Sequence, residues 1–295
     1  MNPLDTNIHS DWKNALKTFL EKDVEIQRVE IVGGGSINDA RRIHTNEGVF
    51  FAKMNLANEY PGMLEAEADG LSFLHAHSPF KIPKVAGTGI TENQQWILME
   101  HISSSSRNKG YWETFGRQMA EMHQSEGSKF GYDKTNYLGS LVQKNNFRST
   151  WAEFFVEERL SPQLEMAKQK GEASDEMVKM FEKLFSRAEK YFPEEPPAAI
   201  HGDLWTGNFM TDENGNATIF DPAAYFGHRE MDLGMSQLFG GFDPVFYSAY
   251  NETYPLEKGW QERLDIANLY PLLAHLNLFG GSYAFKIISI LRKKV

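Results

Sequence analysis

The chain has 295 residues, 41% of them hydrophobic, enough to bury a sizeable core and to form two lobes, so disorder is not a sensible default. Its formal net charge of -10 argues against broad nucleic-acid binding and suits a cationic small substrate. The absence of cysteine excludes disulfides, thiolate metal sites and cysteine nucleophiles.

Residues 1–12 show no secretory signal, and no apolar run is long enough to cross a membrane. A soluble cytoplasmic protein is therefore expected. The first third reads as strands around one helix. Residues 24–32 alternate apolar and polar side chains and run into Gly33, Gly34, Gly35 and Ser36. Residues 38–44 and 49–54 predict two more strands, with a turn at Asn46-Glu47-Gly48. The three glycines let backbone amides approach phosphates closely, because no side chain intrudes. A simple hairpin turn would use the same residues.

Lys53 lies in the third strand between apolar neighbours, and a buried lysine needs a partner. Glu67 sits on the next predicted helix, 59–77, four residues before Leu71 and on the same face. The pair would hold Lys53 against the α- and β-phosphates of a nucleotide. Glu65 is the alternative partner, and an exposed edge-strand lysine is the plainer reading. Residues 84–89 and 95–101 predict two further strands. At the end of the last, backbone groups of Glu100 and Ile102 suit hydrogen bonds to adenine, although an ordinary buried strand fits the run equally well. The polar break Ser103 to Ser106 divides a nucleotide-binding lobe, 1–102, from a catalytic and substrate-binding lobe, 103–295.

The second lobe is mainly helical, with predicted helices at 111–125, 148–170, 174–192, 230–239 and 245–254, and a long helical segment at 260–291. Between them lies His201-Gly202-Asp203-Leu204-Trp205-Thr206-Gly207-Asn208. Asn214-Gly215 then predicts a hairpin that carries Asp221 back beside Asn208. A turn rich in Asp, Asn and Gly is the plainer reading of the first block, but the hairpin and the later aspartate weigh against it. Phosphoryl transfer needs such a set: one carboxylate to orient a hydroxyl and take its proton, one amide oxygen and one carboxylate for magnesium.

Glycine-rich turn, strand lysine, helix glutamate, hinge, H-G-D-x-x-x-x-N and late aspartate follow one another in kinase order. The chain therefore resembles the two-lobed kinase-like fold of aminoglycoside and choline kinases. More narrowly, the block at His201 and the block Asp221-Pro222-Ala223-Ala224-Tyr225-Phe226-Gly227-His228-Arg229-Glu230-Met231-Asp232-Leu233 resemble the fructosamine kinase (ketosamine-3-kinase) family. Tyr137-Leu138-Gly139, Arg159 to Leu164, Phe239 to Phe242 and His275 to Gly281 extend the likeness over nearly the whole chain.

The resemblance implies an α+β, protein-kinase-like fold: an N-terminal antiparallel sheet plus one helix, and a larger helical C-terminal lobe. It implies ATP- and Mg2+-dependent phosphorylation of the sugar 3-hydroxyl of ketosamines (fructosamine, ribulosamine or erythrulosamine adducts, free or on a lysine of a glycated protein), promoting deglycation. No nucleic-acid or membrane partner is expected. By resemblance, Asp203 is the catalytic base, Asn208 and Asp221 are metal ligands, and Lys53 and Glu67 are the phosphate-positioning pair. Ser36 stands where some relatives carry cysteine, which rules out thiol regulation of that loop.

Gly202 replaces the arginine of protein-kinase H-R-D, and little chain separates Asp221 from Asp232, so no activation segment is expected. Trp205, Tyr225, His228, Arg229 and Glu230 are the substrate-pocket candidates. Trp205 would stack on a sugar face and Arg229 would meet a carboxylate or phosphate. Core packing is the alternative for Trp205 and Tyr225, and bracing of the magnesium loop for His228 and Arg229. Asp232 is expected to anchor the catalytic loop by hydrogen bonds. Two other functions fit less of the sequence: a kinase of the same fold acting on an aminoglycoside, choline or sugar hydroxyl, and a nucleotide-binding scaffold without catalysis.

Overall fold

The computed structural model describes residues 3–33 and 37–295. Helix α1 (Pro3–Leu20) precedes strands β1 (Ile26–Val32), β2 (Asp39–Thr45) and β3 (Gly48–Leu56), helix α2 (Met63–His77), and strands β4 (Val85–Thr91) and β5 (Gln94–Glu100). The strands form one antiparallel sheet in the order β1-β2-β3-β5-β4.

Side chains alternate across a strand, so each face of this sheet selects its own residues. Phe50, Ala52 and Met54 of β3, with Trp96 and Leu98 of β5, pack on Ile8, Trp12 and Leu16 of α1. Ile97 and Met99 face the other way and share a core with Leu64, Leu71 and Leu74 of α2. The same alternation puts Phe51 and Lys53 on the face that lines the interlobe cleft. The sequence predicts one helix in this lobe, but the described residues form two. Ile8, Trp12 and Leu16 recur every four residues and, with Ala15, Phe19 and Leu20 beside them, form the apolar face that the sheet covers.

The remainder contains α3 (Tyr111–His123), β6 (Asn136–Leu138), β7 (Leu141–Gln143) and α4 (Trp151–Phe154), which runs through a π-helical turn (Phe155–Leu160) into α5 (Ser161–Gln169). Then come α6 (Asp175–Phe185), β8 (Ala198–Ile200), β9 (Phe209–Thr211), β10 (Ala217–Ile219), β11 (Tyr225–Gly227), α7 (Glu230–Leu238) and α8 (Pro244–Thr253). The long helical segment expected at 260–291 is three helices, α9 (Trp260–Ala267), α10 (Leu269–Phe279) and α11 (Ser282–Lys294). Gly280, at φ +85, separates the last two. Leu64, Leu71 and Ile97 share a core with Ala199, Leu204, Phe209 and Phe246, so the sheet and the helical region are joined by apolar packing. Among the described residues, no helix is long and apolar enough to cross a membrane.

Candidate active site

Lys53 is buried, and its ammonium group contacts two carboxylates. Nζ lies 2.8 Å from Glu67 Oε1 and also donates to Asp221 Oδ1. Glu65, the other candidate partner, points to solvent. Burial by itself lowers the Lys53 pKa, but the charges of Asp221 and Glu67 hold it well above the ordinary lysine value. Burial raises the Asp221 carboxyl in turn, yet Lys53 brings it below the usual carboxylate range. Glu67 is pushed up to about 7, chiefly by burial, against the pull of Lys53.

The loop bearing Asp203 begins where β8 ends. Gly202 has φ +80, and a Cβ there would lie 2.2 Å from the Ala223 carbonyl oxygen. Only glycine allows this turn so close to the following segment. His201 fixes both sides of it: Nε2 donates to Phe220 O at 2.9 Å and Nδ1 accepts from the Asp203 N–H at 3.2 Å. Asp203 receives a 2.8 Å hydrogen bond on Oδ2 from Asn208 Nδ2, which also donates to the Asp203 carbonyl at 2.8 Å. Burial raises the Asp203 pKa well above the ordinary value, only partly offset by the Asn208 hydrogen bond, with the Asp221 and Asp232 charges adding to the rise.

The hairpin β9–β10 forms with the predicted Asn214-Gly215 turn, where Asp212 Oδ1 accepts the N–H groups of Asn214 and Asn216. The Phe220 N–H then reaches the Asn208 carbonyl at 3.1 Å, which returns Asp221 to the loop. Helix α2 closes on this segment. A Cβ at Gly70 would lie 2.8 Å from the Pro222 ring, so the helix carrying Glu67 rests directly on the residue after Asp221.

One cleft of about 640 Å³ gathers these groups. Gly33, Lys53, Glu67, Glu100 and Ile102 line it on one side, and Asp203, Trp205, Asn208 and Asp221 on the other. Gly34, Gly35 and Ser36 lie outside the described residues. The sequence did not single out Arg42, His101 or Asn136, which also line it. Arg42 Nε donates to His101 Nε2 at 3.2 Å. The signal for Arg42 was strand parity, since it stands two residues after Ala40 on the cleft face of β2.

A family model for fructosamine kinase matches residues 8–295. The chain belongs to the fructosamine kinase family. It is 40% identical over 262 residues to a protein of Enterococcus faecium named "Probable ketoamine kinase", covering 88% of this chain and 92% of the relative. Among solved structures, a candidate fructosamine-3-kinase of Thermobifida fusca matches at TM-score 0.84 and 33% identity, over 95% of this chain and 96% of that one. An aminoglycoside phosphotransferase matches at TM-score 0.62 and 14% identity, over 99% of both chains, a likeness of fold alone. The architecture is thus the two-lobed kinase-like fold. As a fructosamine kinase family member, the protein is a kinase, a transferase with a hydroxyl group as acceptor.

Four of the five pocket candidates are not among the residues lining the cleft of this fructosamine kinase family member, which corrects the expectation. Strand β11 pairs with β8 and carries Tyr225 into the core, where its ring stacks on Phe154 and lies 4.0 Å beneath the Arg159 guanidinium. His228 is fully buried, with Nδ1 accepting the Glu230 N–H at 3.3 Å. Arg229 forks onto Glu195 at 2.8 and 2.7 Å and also donates to the carbonyls of Tyr254 and Pro255. Glu230 is buried against Arg263, 2.6 Å away. Arg229, Glu230 and His228 Nδ1 brace the chain behind the loop, while His228 Nε2 has no hydrogen-bond partner among the described residues and lies 3.6 Å from Glu195 Oε2. Trp205 alone of the five reaches the cleft, with 37% of its surface exposed.

Magnesium usually takes one or two protein oxygens and completes its shell with water and phosphate oxygens. The donor set fits that demand. Both Asn208 Nδ2 bonds go to Asp203, which leaves Oδ1 free of hydrogen bonds among the described residues, and Asp221 supplies a carboxylate in the same cleft. Among those residues no group of three or more His, Asp or Glu forms an all-protein cage.

Proposed function

We propose that this protein transfers the γ-phosphoryl group of ATP to the 3-hydroxyl of a ketosamine in the cytoplasm, and that the product sheds its sugar and frees the amine. The observation that carries the reading is Asp203. Its carboxylate has no cationic partner among the described residues, lies in the same cleft as Lys53, Glu67 and Asp221, and is shifted toward proton uptake. Those properties suit a base for a sugar hydroxyl.

Residues 1–102 would hold the nucleotide and residues 103–295 the acceptor. The Glu100 carbonyl and Ile102 N–H would meet adenine, and backbone amides from Gly33 to Ser36 would cover the phosphates. Lys53 donates to the α- and β-phosphates, and Glu67 keeps its ammonium there. Asn208 and Asp221 would hold magnesium, which neutralises charge on the bridging phosphates. Asp203 orients the 3-hydroxyl and accepts its proton as the oxygen bonds to the γ-phosphorus and the bond to the ADP oxygen breaks. Trp205 would stack on the sugar. The net charge of -10 suits a substrate that retains a protonated amine, whether a free ketosamine or a glycated lysine on a protein. The same charge suits an aminoglycoside, which is the second reading.

The test is magnesium-dependent ATP consumption on fructoselysine, ribuloselysine, erythruloselysine, kanamycin, choline and free sugars, with Asp203→Asn as control. Turnover of a ketosamine, lost in the variant, is the expected result. Turnover confined to kanamycin, choline or a sugar would keep the chemistry and overturn the substrate. Unchanged turnover by Asp203→Asn would remove Asp203 as the base.

A further inference from the structure

Arg159 is fully buried in the π-helical turn between α4 and α5, and among the described residues it has no carboxylate partner. Its neighbours Glu157 and Glu158 both pair with Arg148 instead. The guanidinium lies over the rings of Phe154, Tyr225 and Tyr270, at 4.5, 4.0 and 5.5 Å. Aromatic faces offset part of the cost of burying a cation. Nη1 donates to the carbonyls of Lys144 and Glu158 and Nη2 to Asn145 Oδ1, while the buried Nε has no partner among the described residues.

A guanidinium only donates, so it fixes the amide it meets as an acceptor. Asn145 turns Oδ1 toward Arg159, and its Nδ2 donates to the Lys134 carbonyl at 2.9 Å and to Asn136 Oδ1 at 3.0 Å. Gln143 Nε2 donates to the same oxygen at 2.7 Å. Asn136 Nδ2 is left to donate to the Ala224 carbonyl at 2.9 Å. Tyr270 fixes the other amide: its hydroxyl donates to Gln143 Oε1 at 2.6 Å, so Nε2 also reaches the Ala223 carbonyl at 3.2 Å. Asn136, Gln143 and Asn145 are each only 3% exposed.

The two carbonyls that end this chain of bonds directly follow Asp221-Pro222. Asp221 has φ +55, a left-handed conformation uncommon outside glycine, although aspartate adopts it more readily than most residues. We propose that Arg159 is a positioning residue for Asp221. Together with Tyr270 it drives a one-way run of buried amides that grips Ala223 and Ala224 and so holds the Asp221 carboxylate where magnesium and Lys53 need it. This rests on the reading of Asp221 as a metal ligand.

The experiment measures ADP affinity by calorimetry, with and without magnesium, for the parent, Arg159→Met and Tyr270→Phe, alongside melting temperatures. Binding does not depend on the identity of the acceptor, so a wrong substrate class leaves the test intact. The expected result is a MgADP affinity about 10-fold weaker in Arg159→Met and about 3-fold weaker in Tyr270→Phe, with metal-free ADP affinity nearly unchanged. A purely structural role would lower the melting temperature and leave the magnesium dependence alone, and that outcome overturns the inference. Should Arg159→Met fail to fold, Tyr270→Phe decides, since it removes a single hydroxyl. A parent protein whose ADP affinity ignores magnesium would overturn the metal assignment and this inference with it.

Discussion

Asp232 Oδ2 accepts the backbone N–H of His201 at 2.7 Å, and its other oxygen accepts that of Gly202 at 2.8 Å. His123 Nε2 lies 3.3 Å from the same carboxylate. The first turn of α7 therefore holds the loop that presents Asp203, as the sequence predicts for Asp232. In Asp232→Asn an NH2 group would face one of these N–H donors and leave it unsatisfied in the interior. Urea melts should show a loss of about 2–3 kcal/mol. The displaced loop should lower kcat by up to about 100-fold.

Lys53→Met would leave Glu67 and Asp221 close together without their shared cation. The expected effect is a fall in kcat/KM for ATP of about 100- to 1000-fold, with KM for the acceptor nearly constant. Initial rates with ATP varied at fixed acceptor, and then the reverse, check the split. An equal rise in both KM values would show that Lys53 supports the fold rather than the phosphates.

The fully buried His228 predicts a pH dependence of stability. Burial brings its imidazole down to about 4, from 6.5 in the unfolded chain; Glu195 opposes this shift, while Arg229 and Arg263 add to it. Between those two values the unfolded chain binds a proton that the folded chain refuses. The contribution of neutral His228 is therefore complete above pH 6.5 and is lost as pH falls toward 4. At pH 5 the loss is about 2 kcal/mol relative to pH 7. His228→Gln keeps Glu195, Arg229 and Arg263 in place, so urea unfolding at both pH values should be flatter for the variant by about that amount.

Arg229 and Trp205 should separate scaffold from pocket. Arg229→Ala strands Glu195, whose side chain is only 11% exposed, and should cost about 3–5 kcal/mol, with acceptor KM unchanged in the folded fraction. Trp205→Ala should move stability by less than about 1 kcal/mol. If its ring packs on the sugar, acceptor KM rises about 10-fold. A reversed pattern would return Arg229 to the substrate.

The linear motif made Asp203, Asn208 and Asp221 legible because their spacing is local: one loop and one hairpin bring them together, and Asn214-Gly215 encodes the turn. Lys53 and Glu67 were legible for a similar reason, since strand parity and the helical repeat put each on a definite face. Tyr225, His228, Arg229 and Glu230 were misplaced because adjacency in a motif says nothing about which way a side chain points: β11 turns Tyr225 into the core, and distant Glu195 and Arg263 draw Arg229 and Glu230 away from the cleft. Helix α1 was not legible as a continuous apolar run, because Ile8, Trp12, Leu16 and Phe19 are separated by polar residues and line up only at the helical repeat.

By itself, the sequence determined the family, the strand and helix types of most segments, and the core set Lys53, Glu67, Asp203, Asn208 and Asp221 in the cleft, all of which follow from short-range pattern. Only the tertiary structure decided that Lys53 also meets Asp221, that Arg229 answers Glu195, and that Arg159 and Tyr270 reach Ala224 and Ala223 through side-chain amides. Those partners are separated by up to 168 residues in sequence, and the choice among them is made by packing and desolvation, which no local pattern records.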